Sequence, residues 1–144
     1  MVDIKDGANY APSADAQRVV EPGEFCFAAA YLDHGHVYGQ VNGLRDAGGT
    51  LKAVYDPDPA RLQKFADTYP GVHVADCFED ILADPAIRLV TAAAIPDQRA
   101  AIGVQVLEAG KDYFTDKSPF TSLQQLQEVR AVVARTGRKY AVYY

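Results

Sequence analysis

The stretch Phe25-Cys26-Phe27-Ala28-Ala29-Ala30-Tyr31-Leu32-Asp33-His34-Gly35-His36 decides how this chain is read. Its first half, rich in aromatic and small apolar residues, reads as a strand over about residues 24–31, covered on both faces. Its second half reads as a tight turn opening a helix. In an α/β protein that turn is where phosphates settle on the open N–H groups of the helix's first turn. A dinucleotide-binding turn carries Gly-x-Gly-x-x-Gly there. The matching positions here are Ala30, Leu32 and Gly35, so only the third glycine is present.

Outward from this stretch, strands and helices alternate. A helix from near Gly35 places Val37, Val41 and Leu44 at i, i+4, i+7, one stripe facing a sheet, and Gly48-Gly49 ends it. Thr50 to Tyr55 is the second strand, with Asp56 at its carboxyl end. Asp58 caps the next helix, Pro59 takes its first position, Leu62, Phe65, Ala66 and Tyr69 form its buried stripe, and Pro70-Gly71 stops it. Val72-His73-Val74 is a short third strand. Asp76 and Glu79 stand at capping-box spacing before a brief helix. Arg88 to Ala94 is the fourth strand, and Pro96-Asp97 leads into a helix with Ile102, Val106 and Leu107 inward. Tyr113-Phe114-Thr115 is the fifth strand and ends at Asp116-Lys117. Ser122 and Gln125 form a second capping box, opening a helix that carries Leu123, Leu126, Val129, Val132 and Val133. Arg138 to Tyr144 is the sixth strand.

Six such alternations predict an α/β fold with a doubly wound, parallel six-stranded sheet of Rossmann-like order 3-2-1-4-5-6. Residues 1–22 lack periodicity and read as a mobile lead-in that packs partly through Val19 and Val20, and residues 23–144 as the domain. Ligands of such sheets bind outside the carboxyl ends of the strands, at the switch point between strands one and four. That directs attention to the loops Tyr31–Gly35, Asp56–Asp58, Ala94–Asp97 and Thr115–Pro119.

Composition narrows the class. The 144 residues are 49% hydrophobic and 23% charged, ordinary globular values. The net charge of −5 argues against nucleic acid as a partner, and no apolar run is long enough for a membrane span. The N-terminus has neither a basic start nor an apolar segment, so no secretory signal is expected. Cys26 and Cys77 read as reduced thiols, which suits a cytoplasmic location.

Asp56 carries the strongest single signal. It lies 21 residues past Gly35, where a carboxylate can hold the adenosine-ribose hydroxyls, and its charge would repel a 2′-phosphate, favouring NAD over NADP. It also suits the turn Asp56-Pro57-Asp58-Pro59 in its own right. Leu32 threatens the site, because a branched side chain there stands where phosphate oxygens belong unless the loop runs elsewhere. His34 and His36 could offer ring N–H donors to a phosphate, or act only as caps. No third metal ligand lies near them in sequence, so no metal is expected. Lys117 is suited to the general acid–base step that must accompany hydride transfer, or else to a surface ion pair with Asp116. The ending Tyr140-Ala141-Val142-Tyr143-Tyr144 reads as an apolar edge strand that continues into more protein or meets a partner.

Together, Leu51 to Pro59, Phe78 to Pro85, Pro96, and Leu107 to Lys111 before Asp116-Lys117 resemble the N-terminal domain of the glucose–fructose oxidoreductase/inositol dehydrogenase family (Gfo/Idh/MocA) over about residues 24–144. The resemblance implies an NAD(P)-binding domain whose substrate and catalytic histidine come from a second domain absent from these residues. Ala30, Leu32, Gly35 and His36 of the first turn and Asp116 are the expected cofactor-bordering residues, and the resemblance implies Asp56 on the adenosine ribose. Ala94, Ile95 and Pro96 would border the nicotinamide ribose. Lys117 matches the lysine of the family's Glu-Lys-Pro motif near the hydride, with Asp116 in place of the glutamate. The departures are Ser118 before Pro119, Ala100 where many members have histidine, and the two missing glycines. The expectation is the cofactor-binding part of an oxidoreductase acting on a sugar-like or cyclitol-like small molecule, inactive as this fragment and homo-oligomeric. The alternatives are a non-catalytic interaction or sensing module and an S-adenosylmethionine- or mononucleotide-binding domain.

Overall fold

The computed structural model describes residues 17–144. Eleven elements follow one another: β1 (Cys26–Ala30), α1 (His36–Asp46), β2 (Thr50–Tyr55), α2 (Pro59–Thr68), β3 (His73–Val74), α3 (Phe78–Ala83), β4 (Ile87–Ala92), α4 (Arg99–Glu108), β5 (Asp112–Asp116), α5 (Leu123–Thr136) and β6 (Tyr140–Tyr143). The strands form one parallel sheet in the order β3-β2-β1-β4-β5-β6, as the alternation predicts.

β1 explains why both faces must be covered. Phe27 and Ala29 point to one side, into a cluster with Val37 and Val41 of α1, Phe65 of α2 and Tyr69. Ala28 and Ala30 point to the other, among Phe78 and Ile81 of α3, Ile102, Val106 and Leu107 of α4 and Val132 of α5. The strand period of two thus splits one apolar run between two helical layers. Small side chains also let the layers close: a Cβ at Gly103 of α4 would stand 2.6 Å from the Tyr140 ring and 2.8 Å from that of Tyr113.

Local signals account for most element ends. The Asp58 side chain accepts the Ala60 N–H and Pro59 takes the first helical position. Ser122 accepts the Gln125 N–H at 3.2 Å, and Gly137 ends α5 at φ +67°. The reciprocal arm of that box is displaced, because Gln125 Oε1 accepts the N–H of Thr121. Three expectations need correction. α3 is preceded by Cys77, not Asp76, and no side chain caps it. Leu123 is 78% exposed, since the inward stripe of α5 starts later, at Val129 and Val132. β4 stops at Ala92, as Ala93 already gives its N–H to the loop at Tyr31. Most of the expected lead-in lies outside the described residues. Where it enters them, Val19 attaches through its backbone N–H to Ala47 O while its side chain stays exposed.

Candidate functional site

The loop after β1 is built by backbone geometry and not by glycines. Tyr31 takes a left-handed φ of +52°, which turns the chain immediately beyond the strand. Its N–H donates to Tyr55 O, its carbonyl accepts from Ala93 N–H, and His34 N–H donates to Ala93 O. The loop is therefore held to β2 on one side and to the end of β4 on the other. In this path Leu32 is 7% exposed and packs with the α1–α2 cluster. Its side chain occupies the core and leaves the phosphate region clear. Ala30 and Ala94 are likewise fully buried, so Ala30, Leu32 and Ala94 can face a ligand only through backbone. Burial, together with Tyr55, Glu79 and Asp56, pushes the Tyr31 phenol up to about 12.

Gly35 precedes α1 at φ −60°, a conformation open to any residue. A Cβ built on it meets nothing within 4 Å. Neither strain nor packing within the domain calls for glycine there. Open space above the N-terminus of α1 fits the close approach of a ligand, so the residues present fit a dinucleotide at this turn.

Asp56 lies where the sequence places it, beyond β2, but it faces inward and is 2% exposed. Oδ2 accepts the Leu32 N–H at 2.6 Å. Oδ1 accepts the Asp58 N–H at 2.7 Å and two donors of Arg61, Nε at 3.0 Å and Nη2 at 2.8 Å. The carboxylate thus ties the first loop to the second. Arg61 also approaches Asp33 at 3.5 Å and Asp58 at 3.3 Å, so one cation serves three anions. The hydrogen bond that Arg61 donates to Asp56 holds its guanidinium above the ordinary value, with burial opposing.

Across the switch point, Asp33, His34, His36, Ala94, Ile95, Pro96, Arg99, Asp116 and Lys117 line a cleft of about 300 Å³. It gathers His36 at the start of α1, Ala94, Ile95 and Pro96 after β4, and Asp116 and Lys117 at the end of β5. Asp56 does not line it, and reaches it only through Arg61 and Asp33. Lys117 is exposed at the rim. Only its backbone N–H is engaged, on Asp116 Oδ1 at 2.8 Å, and its ammonium has no ion pair among the described residues. Asp116 is 1% exposed. Oδ1 also accepts from His36 Nδ1 at 3.0 Å, whereas Oδ2 has only Arg99 Nη2 at 3.4 Å and His34 Nδ1 at 3.6 Å.

Sequence reasoning missed Asp33, Arg61 and Arg99. Arg99 is 3% exposed and donates to the carbonyls of Ala94 at 2.6 Å and Ser118 at 3.1 Å, closing the floor of the cleft. A cation in the first turn of an otherwise apolar helix opposes the helix dipole, and that oddity is visible in the sequence.

Among curated proteins no sequence matches this chain. Solved structures do match. A presumed oxidoreductase from Erwinia carotovora atroseptica SCRI1043 superposes with a TM-score of 0.81 at 42% identity, over 83% of this chain and 36% of that one. GenD2 from gentamicin A biosynthesis, solved with NAD, gives 0.76 at 22% identity over 92% and 37%. Biliverdin reductase from Synechocystis sp. PCC 6803, solved with biliverdin and NADP+, gives 0.72 at 22% identity over 81% and 37%. The last two share the fold. The chain spans 36–37% of the length of these proteins. Residues 27–144 match the oxidoreductase family with an NAD-binding Rossmann fold, and the chain accordingly belongs to the Gfo/Idh/MocA oxidoreductases as their NAD-binding domain.

Proposed function

We propose that this domain binds NAD in preference to NADP, for hydride transfer to or from a hydroxyl or carbonyl of a sugar-like or cyclitol-like small molecule. The observation that carries the preference is the meeting of the β1 and β2 loops, where Asp33, Asp56 and Asp58 surround the cation of Arg61. Three anions against one cation repel a 2′-phosphate more than they attract it. A bound nicotinamide supplies the hydride acceptor or donor. The chain's own part is to seat the phosphates at the open N-terminus of α1 above Gly35 and to border the ring with Ile95 and Pro96. Lys117 Nζ, exposed at the cleft mouth and without an ion pair among the described residues, takes or returns the hydroxyl proton. Substrate contacts come from a second domain, so the 144 residues alone do not turn over. The complete protein assembles as a homo-oligomer in the cytoplasm, a setting that suits the free thiols Cys26 and Cys77.

Calorimetric titration tests this reading. NAD+ and NADH are expected to bind, with NADPH at least about 10-fold weaker, a difference of ~1.4 kcal/mol. Silence toward all three at millimolar concentration overturns it. One observation favours the second reading, a non-catalytic module. His34 Nδ1 already accepts the N–H of His36 at 3.1 Å, so an amide that a phosphate would use at the start of α1 is taken.

A further inference from the structure

His34, His36 and Asp116 come from two segments 80 residues apart in sequence, and each offers one ligand atom within 4.8 Å of the other two. We propose that these three residues form a binding site for a divalent transition-metal cation of the zinc, cobalt or nickel class. The three residues lie in the cleft already assigned to the dinucleotide, and the inference concerns the ion alone.

The unequal loading of the Asp116 carboxylate carries the argument. Oδ1 is engaged by two short donors, His36 Nδ1 at 3.0 Å and Lys117 N–H at 2.8 Å. Oδ2 has only the long Arg99 contact of 3.4 Å. Facing it at 3.6 Å is His34 Nδ1, and that nitrogen is itself an acceptor, since it receives the His36 N–H. Two acceptors therefore confront each other with no hydrogen between them. A divalent ion between them would give Oδ2 a short partner, with the single lone pair of His34 Nδ1 passing to the ion from the His36 amide.

The donor set is right for such an ion. Two imidazole nitrogens and one carboxylate oxygen suit zinc, cobalt or nickel better than magnesium or calcium, which prefer all-oxygen cages. Ligand distances of about 2.0–2.2 Å in a tetrahedral set put ligand atoms roughly 3.4 Å apart, so the three atoms, which span up to 4.8 Å, must draw together by as much as about 1.4 Å. The imidazoles can move that far, with 55% and 38% of the His34 and His36 side chains exposed. Their exposure also leaves the remaining coordination positions to water. The Arg99 guanidinium opposes the ion, but it is anchored to two carbonyls and reaches Asp116 Oδ2 only at 3.4 Å. With one carboxylate present and one cation opposing, affinity should lie in the micromolar range, about −8 kcal/mol.

The test is calorimetric titration of the untagged chain with Ni²⁺ and with Co²⁺. One ion per chain is expected, and His34→Gln and His36→Gln, checked for folding by circular dichroism, should each weaken binding at least about 10-fold. The chain has three histidines, and the third supplies the control, since His73→Gln on β3 should bind as the parent does. Bound Co²⁺ should show the weak visible bands of nitrogen and oxygen ligation. The site is refuted by an absence of saturable binding at millimolar metal, by unchanged affinity in both variants, or by a thiolate charge-transfer band that assigns the ion to a cysteine. Asp116→Asn is a poor primary test, because the asparagine carbonyl can still ligate and the charge facing Arg99 changes with it. The two histidine variants decide.

Discussion

Asp56 and Asp116 invite comparison. Both lie at the carboxyl ends of strands that flank the β1–β4 pair, on β2 and β5 respectively. Each is buried, and each meets an arginine from a helix next to its strand. Yet Asp56 is saturated. It accepts four donors at 2.6–3.0 Å, two of them loop amides, and works as a latch between the first two loops. Asp116 accepts two short bonds on one oxygen and holds the other against contacts of 3.4 and 3.6 Å. The same side chain in mirrored places is thus a structural tie on one side and an adjustable group on the other. What separates them is the count of donors that the surrounding backbone aims at each carboxylate.

That contrast can be broken first at Asp56. Asp56→Ala orphans a buried amide and releases Arg61, and should cost about 3–5 kcal/mol of stability, read by chemical denaturation. A loss below 1 kcal/mol would mean that the latch is ornamental. Leu32→Gly follows, at about 2–5 kcal/mol, and it should not tighten NAD binding, because the side chain it removes packs in the core and not against the phosphates. Asp116→Ala should cost less, about 1–2 kcal/mol, since His36 turns to water and Arg99 keeps two carbonyls. Near-equal losses at Asp56 and Asp116 would erase the comparison.

The smallest effect is electrostatic. The neutral Tyr31 phenol is favoured in the folded state, so its contribution is complete below pH 10 and disappears as pH rises from about 10, where the unfolded phenol ionises, to about 12, where the folded one does. Asp56 is among the groups that raise it. Tyrosinate absorbance should therefore report a slightly lower Tyr31 midpoint in Asp56→Asn and no change in Asp116→Asn.

Much of the architecture was legible because it rests on local rules. The split of β1 between two layers, the Asp58-Pro59 start and the Ser122 cap all depend on residues within a few positions of one another. The failure at Asp76 is of the same scale, as helix α3 starts one residue later than the spacing suggests. The site was legible in place and not in state. That Asp56 ends β2 follows from pattern, but its inward turn depends on Arg61, which looks like any polar helix residue, and on the Leu32 amide 24 positions back. Leu32 seemed an obstacle because side-chain identity says nothing about the direction a left-handed Tyr31 sends it. The partners of His34 and His36 were invisible for a simpler reason: Asp116 meets them only after four further strands have been laid down.

The sharing of Arg61 among Asp33, Asp56 and Asp58 bears on how this domain could change by mutation. A single replacement at position 56 would loosen the loop it ties before it made room for a bulkier, doubly negative nucleotide, while two acids stayed in place. A change at this corner is therefore a several-step path through a less stable intermediate, because the guanidinium couples all three acids to the fold.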